Sequence, residues 1–297
     1  MRKFNIIALI RKTRLPMKNV KAYFKPTTIA EAMKLLREHP GKGKLIAGGT
    51  NVVVDQDPAL DYLVDLHHLG LDYITEEETC VRIGACTTIQ ELYQSALIRS
   101  FANGLLAQVA SWFGSRQIRN VATIGGNLAE GLSAADTAPA LLAMDAQVSI
   151  VGETERIVPI SGFFRKEGGT ILHHELIKEV LIPKEFQHAA GKFLKNGKTH
   201  EDISIVSVTT VILMQQTSCQ KARIALGAVA PTPIRIPQAE SVLEGHIPTK
   251  ERIAQAAETV VANIHPIDNF RASAYFRKQI SRVYTIRALS ECLNIAK

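Results

Sequence analysis

Leu45-Ile-Ala-Gly48-Gly49-Thr50-Asn51 and Thr123-Ile-Gly125-Gly126-Asn127 are built alike: apolar residues, a glycine pair, then a small polar residue. Each reads as a strand running into a tight loop. A glycine pair lets the backbone turn with positive φ and come close to a ligand, and successive N–H groups there form a concavity suited to phosphate oxygens. Two such loops are able to grip one pyrophosphate from two sides. They are equally readable as two tight turns after strands, and loop chemistry alone leaves these readings level. Neither loop matches GxxxxGK[ST] or GxGxxG, so an ATP site or a Rossmann dinucleotide site loses its main support.

Working outward, helix and strand signals alternate, which favours a mixed α/β or α+β class over an all-α or all-β one. Thr28-Ile-Ala-Glu31 is a capping box, and Ile29, Ala32, Met33, Leu35 and Leu36 repeat at helical spacing until Pro40-Gly41. Thr88-Ile-Gln-Glu91 starts a second helix in the same way, and Leu105 to Phe113 reads as a third. Lys44 to Ala47, Leu63 to Leu66, Cys80 to Cys86, Val121 to Ile124, Ala146 to Val151 and Leu176 to Ile182 read as strands. Residues 137 to 144 read as a helix. Around Pro183 to Gly197 the chain turns polar and turn-rich, which places a domain boundary there. Beyond it come two apolar strands, Ile203 to Met214 and Ala222 to Ala230, and long helices at about 249 to 264 and 271 to 294.

The chain of 297 residues carries 35 Lys and Arg against 28 Asp and Glu, a formal net charge of +7. Five of the basic residues lie in the first 16 positions with no acid among them, so the body of the chain is close to neutral. A nucleic-acid partner needs a basic face that the body does not supply. No apolar run approaches the roughly 18 residues that span a bilayer. Cys80, Cys86, Cys219 and Cys292 are scattered without a CxxC pair, which argues against a zinc or iron–sulfur site built by this chain and fits a reduced, cytoplasmic protein. Residues 1–16 read as an N-terminal extension, a poor signal peptide because Arg11, Lys12 and Arg14 stand where a cleavage region is small and neutral. Met17 opens an ordinary domain start.

Other chemistry is sparse. Asp136, before Thr-Ala-Pro139, reads as a helix N-cap or as an acceptor for a ligand's hydroxyls. Ser115-Arg-Gln-Ile-Arg119-Asn120 reads as an anion-binding stretch or as a polar surface loop leading into a strand. The His67-His68 and His173-His174 doublets lack metal-ligand spacing, and no GxSxG, HExxH or Ser-x-x-Lys context anchors hydrolase chemistry. No residue stands out as catalytic or metal-binding.

Taken in order, the glycine loops, Arg82-Ile-Gly-Ala85, Gln117 to Asn127 with Asp136 and Pro139, Ala230-Pro-Thr-Pro-Ile-Arg235, and Arg271-Ala-Ser-Ala-Tyr-Phe-Arg277 resemble the FAD-binding medium subunit of the molybdenum hydroxylases of the xanthine dehydrogenase and carbon monoxide dehydrogenase type. The likeness runs from about Met17 to Ala288. It implies an α+β fold: a two-lobed FAD-binding domain of the vanillyl-alcohol-oxidase (PCMH) type over 17–187, then a smaller α/β C-terminal domain over 188–297 with a three-stranded antiparallel sheet and helices. It also implies non-covalent FAD between the lobes. By this resemblance Ile46, Ala47, Gly48, Gly49, Thr50, Asn51 and Val52 wrap the pyrophosphate, and Ala122, Thr123, Gly125, Gly126 and Asn127 form the facing loop. Asp136 then holds ribityl or ribose hydroxyls, Phe113 packs at the nucleotide end, Ile177 lies near the flavin ring, and the family lysine falls on Leu194 or Lys195, of which we take Lys195.

Asn51 stands where many members carry an acid. Only nine positions separate Asn127 from Asp136, too few for the cysteine-bearing insertion of relatives with an extra iron–sulfur cluster. The implied function is an electron-transfer subunit that takes electrons from two 2Fe-2S clusters in a partner subunit, within a complex that includes a molybdopterin-binding large subunit, and gives them to NAD+ or another acceptor. The alternatives are a stand-alone FAD-dependent oxidase or dehydrogenase, and a non-catalytic scaffold that has lost FAD.

Overall fold

The computed structural model describes residues 19–38 and 41–294. The extension at 1–16, the start at Met17 and the stop at Pro40 lie outside the described residues. The first lobe is a three-stranded parallel sheet in the order β1-β3-β2, with β1 at Ala22–Phe24, β2 at Gly43–Ile46 and β3 at Tyr62–Asp65. Helix α1 (Ile29–Glu38) closes one face by burying Ala32, Met33 and Leu36, spaced along one stripe. Half of its capping box forms: Glu31 N–H donates to Thr28 Oγ1 at 3.2 Å, while the Glu31 carboxylate accepts from Thr27 N–H at 3.0 Å, one residue before the cap. The four-residue helix α2 (Val52–Asp55) follows the first glycine loop.

The second lobe is a five-stranded sheet in the order β4-β5-β8-β6-β7, with β4 at Ile74–Glu76, β5 at Cys80–Gly84, β6 at Gln147–Val151, β7 at Glu155–Pro159 and β8 at Leu176–Pro183. All its pairings are antiparallel. Between β5 and β6 run α3 (Ile89–Gln94), α4 (Ala96–Ser100), α5 (Leu105–Ser111), α6 (Arg116–Arg119), α7 (Ile124–Ala129) and α8 (Thr137–Ala143). The Thr88 box at the head of α3 is complete in both directions.

Two segments differ from their sequence reading. Val121 to Ile124 is not a strand: the Thr123 hydroxyl accepts from Gly126 N–H at 3.1 Å and so starts α7, a cap that overrides the apolar run. The turn-rich stretch before Gly197 holds a strand, β9 (Ala190–Asn196), whose side chains alternate between buried and half-buried. Its Ala, Gly, Lys and Asn are poor strand formers, and pairing with β10 (Val206–Gln215) decides its conformation.

β9 opens the third sheet, antiparallel, in the order β12-β11-β10-β9, with β11 at Ser218–Gly227 and β12 at Ile234–Arg235. Three strands are long, and β12 adds a two-residue edge. α10 (Lys250–Asn263) and α11 (Ala274–Cys292) cover one face of this sheet, after the short α9 (Pro237–Glu240). α8 packs on the other, wholly buried, so that Val211 and Ala225 join the core of the second lobe. Asp145, just after α8, pins the arrangement: it accepts from Arg223 Nε at 2.9 Å and from Arg235.

Within the second lobe, buried Glu179 on β8 accepts Arg82 bidentately at 2.8 Å and the Tyr73 hydroxyl at 2.8 Å. Burial alone raises the Glu179 carboxyl, but these donors outweigh it and hold it below the usual carboxylate range, while burial and Glu179 push Tyr73 up to about 12. A depressed carboxyl stabilises the fold above the unfolded value of about 4.3, and that stabilisation is lost as pH falls through the folded value. Glu179→Gln is therefore expected to lower stability at neutral pH by about 1–3 kcal/mol and to flatten its decline below about pH 4.5, measured by urea unfolding across pH.

Candidate functional site

The first glycine loop leaves the carboxyl end of β2, and the second enters α7. They touch. A Cβ placed on Gly48 would sit 1.8 Å from the Val121 carbonyl oxygen, and one on Gly125 would sit 2.5 Å from the Ala85 Cβ. Gly49 takes φ +68°, which disfavours any side chain. Gly48 and Gly125 thus let segments pack at close range, and Gly49 makes the turn. Gly126 differs: an added Cβ would meet only the Thr123 hydroxyl, at 3.0 Å, and the residue faces a cavity.

That cavity has a volume of about 650 Å³, within the range of about 300–1,000 Å³ usual for small-molecule sites. Ala47, Gly48, Gly49, Thr50, Asn51 and Val52 line it on one side, with Ala122, Thr123, Gly125, Gly126 and Asn127 opposite. Phe113, Asp136, Ile177 and Lys195 complete the wall. Ile46 does not reach it: its side chain is buried with Val52, Leu60 and Leu63, because alternation along β2 turns it away.

The two loops present different chemistry. Among the described residues, the N–H groups of Gly48, Gly49, Thr50 and Asn51 meet no protein acceptor, so four consecutive donors are free. In the second loop Ile124 N–H donates to Thr87, Gly125 N–H to Ala85, Gly126 N–H to Thr123 Oγ1 and Asn127 N–H to Thr123. A symmetrical two-sided grip through backbone N–H groups is thus corrected. The first loop supplies the donors, and the second supplies a bare Gly126 surface and the Asn127 side chain.

Asp136 occupies the N-cap position of α8, but its side chain caps nothing. Its carboxylate accepts from Lys195 Nζ at 2.7 Å and from the Ser204 hydroxyl, and the same ammonium donates to the Trp112 carbonyl at 2.9 Å. Both partners of the ion pair are buried. Burial raises the Asp136 carboxyl, with Lys195 and Ser204 opposing. Of the two candidates for the family lysine, Lys195 lies on the cavity wall, while Leu194 packs into the C-terminal core.

Arg119 is committed elsewhere: its guanidinium donates to the carbonyls of Phe113 and Gly114, which holds the Phe113 turn against α6. The stretch at 115–120 is thus a short helix and a brace. Leu36, Leu66, Leu132, Glu175 and Ile203 also line the cavity and were missed in the sequence. Leu66 follows the carboxyl end of β3, where ligands of parallel sheets gather, and was findable on that ground. Ser204, in the loop after β9, carried no sequence signal. That loop is held beside the cavity by stacking of His200 on Trp112, ring centroids 4.2 Å apart.

The comparisons agree with this architecture. Residues 16–185 match the FAD binding domain in molybdopterin dehydrogenase, and residues 192–292 match the CO dehydrogenase flavoprotein C-terminal domain. The chain belongs to the FAD-binding subunits of the molybdopterin dehydrogenases. It is 32% identical to the xanthine dehydrogenase FAD-binding subunit of Escherichia coli O157:H7, over 93% of this chain and 97% of that one. It is 31% identical to the 6-hydroxypseudooxynicotine dehydrogenase complex subunit alpha of Paenarthrobacter nicotinovorans, over 93% and 95%. The solved carbon monoxide dehydrogenase of Hydrogenophaga pseudoflava superposes with a TM-score of 0.89 at 28% identity, covering 94% of this chain and 99% of that one. This FAD-binding subunit is thus an oxidoreductase component, and the four free N–H groups on its cavity wall fit the diphosphate of FAD.

Two variants separate scaffold from site. Gly126→Leu is expected to fold with a melting temperature near wild type yet to lose bound flavin, whereas Gly48→Ala is expected to lower the melting temperature itself, both read by thermal unfolding and flavin absorbance. Lys195→Met, which leaves the Asp136 carboxyl buried without its cation, is expected to cost about 3–5 kcal/mol in urea unfolding, with Asp136→Asn added to it recovering part of the loss.

Proposed function

We propose that this subunit binds FAD non-covalently along the cavity and serves as the last electron-transfer station of a molybdenum hydroxylase complex. The observation that carries the reading is the run of free N–H donors at Gly48 to Asn51 facing the open Gly126 surface across one cavity. In this reading the first loop holds the diphosphate, with Ala47 and Val52 flanking it, and Thr123 and Asn127 add polar contacts from the facing loop. Phe113 covers the nucleotide end, and Ile177, buried on β8, supplies an apolar surface beside the ring. Asp136 acts chiefly through Lys195, fixing the ammonium at the cavity wall.

FAD, when bound, supplies the acceptance and donation of electrons; the chain's own residues bind it, orient it and keep water from its apolar side. No nucleophile or general base is required of the protein. The partners in this reading are an iron–sulfur subunit with two 2Fe-2S clusters and a molybdopterin-binding large subunit, and the acceptor is NAD+ or another oxidant. We place the boundary between the FAD-binding and C-terminal domains at 187/188, just before β9. No helix among the described residues is long and apolar enough to cross a membrane. A cytoplasmic location follows in this reading from the four free thiols.

The visible spectrum of the purified chain, before and after added FAD, tests the assignment. Bands near roughly 370 and 450 nm, released by acid as FAD, are the expected result. A folded, colourless chain that takes up no added FAD overturns it. Recovery of the 450 nm band when NAD+ is mixed anaerobically with the chemically reduced protein identifies NAD+ as acceptor, and a band that stays bleached assigns that role to another oxidant.

A further inference from the structure

His174 stands on the cavity wall in a backbone conformation that side chains avoid. Its φ is +52°, in the left-handed region where glycine is at ease and an L side chain costs free energy. The turn that holds it is braced: the Glu175 carboxylate accepts the Arg156 guanidinium through both oxygens and accepts His173 N–H at 3.3 Å. Strain held in place by its surroundings points to a use for the side chain that bears it. The imidazole itself is exposed and, among the described residues, has no hydrogen-bond, ionic or ring partner.

The strand that follows carries this turn to the first glycine loop. Leu176, the first residue of β8, is buried in the core of the first lobe with Leu36 and Leu66, and Ala47 of the loop packs on the same core. His174, two residues earlier, therefore lies on the side of the cavity that bears the free N–H groups of Gly48 to Asn51. The other charged groups of the cavity are paired or acidic. Lys44 on β2 pairs with Glu130 at the end of α7 at 3.8 Å, Lys195 pairs with Asp136, and Glu175 pairs with Arg156 of β7. Asp202 accepts Thr199 N–H at 3.0 Å, Glu201 beside it is a carboxylate, and His173 does not line the cavity. Among the described residues of the wall, His174 is thus the unpaired group able to become a cation, and imidazole is the side chain whose charge ordinarily changes between about pH 5 and 8.

We infer that His174 holds the diphosphate of FAD together with the first glycine loop and makes that hold pH-dependent. The inference rests on the FAD reading above. A diphosphate diester carries a negative charge on each phosphate that does not titrate near neutrality, so a protonated imidazole beside it strengthens binding and a neutral one weakens it. Affinity is then highest below the imidazole's titration and falls as pH rises through it. Backbone N–H groups supply direction without net charge, and His174 adds the charge. A glycine or asparagine at 174 would relax the turn and lose the cation, so the strain is the cost of the contact.

The test is FAD binding by the full chain, stripped of flavin and titrated with FAD from about pH 5.5 to 8, with the change in flavin fluorescence as the readout. Wild type is expected to bind about 5-fold more weakly at the upper end of this range than at the lower. His174→Asn is expected to bind at every pH as weakly as wild type does at the upper end, and to melt, free of flavin, at or above the wild-type temperature. His174→Lys, whose charge persists across the range, is expected to bind at every pH as tightly as wild type does at the lower end. ADP-ribose, which has the diphosphate diester and no flavin ring, is expected to compete with the same pH dependence as FAD. A His174→Asn chain that follows the wild-type profile overturns the inference, as does competition by ADP-ribose that ignores pH. A folded wild-type chain that takes up no FAD at any pH overturns the FAD reading itself, a result distinguishable from indifference of the variants.

Discussion

The ion pair between Asp136 and Lys195 is the constraint around which the molecule is arranged. Asp136 begins α8 of the second lobe and Lys195 ends β9 of the third sheet, 59 positions apart, and their contact at 2.7 Å is buried. Removing two charges from water costs several kcal/mol each, so a pair like this is poor evidence of extra stability and better evidence of a geometry being enforced. The geometry here is specific: the ammonium also bonds Trp112 at the end of α5, and the carboxylate also bonds Ser204 in the loop after β9. Four chain segments converge on two side chains at the wall of one cavity. The peripheral tie of Asp145 to Arg223 and Arg235 holds the same two units together at the other end of α8.

The glycine pairs divide their labour in a way their likeness conceals. Gly48 and Gly125 serve internal packing, since each lies where a methyl group would collide with backbone or a neighbouring Cβ. Gly49 serves a left-handed turn, and Gly126 alone of the four leaves open space on its cavity side. Close contact of the loops fixes the width of the cleft, and the turn at Gly49 is what releases the adjacent N–H groups from the β2 ladder without giving them a new acceptor. The second loop has become the start of a helix, and its N–H groups are consumed in building it.

Much of the fold was legible because its signals are local. Both capping boxes announce helices, and the apolar runs at Leu176 and Val206 announce strands. β9 was not legible, because Ala190-Gly-Lys-Phe-Leu-Lys-Asn196 has little strand preference of its own and is a strand only through its neighbour β10. Val121 to Ile124 misled for the opposite reason: a β-branched run looks extended, while one threonine hydroxyl decides for helix. At the site, the residues carried by the family resemblance lie together on the cavity, with Ile46 excepted. What the sequence lacked was the bonding. The commitment of Asp136 to Lys195 and Ser204 is a contact across 59 and 68 positions that no local pattern encodes.

Arg277 poses the same problem from the other side of the cavity. A buried guanidinium is ordinarily matched by a carboxylate, yet its donors meet two carbonyls and an amide, and burial together with the nearby Arg271 lowers its proton affinity. A neutral residue would avoid that cost. What a guanidinium supplies is reach: its planar fork holds three separate segments in fixed relation, which a single apolar side chain or a lysine cannot do. Lys195 and Arg277 thus fix opposite ends of the loop from 196 to 205, one toward the α8 side and one toward α11. That loop contributes Glu201, Asp202 and Ile203 to the cavity. Two buried cations, each attached to backbone carbonyls, make a wall of the cofactor site out of a loop that carries no regular structure of its own.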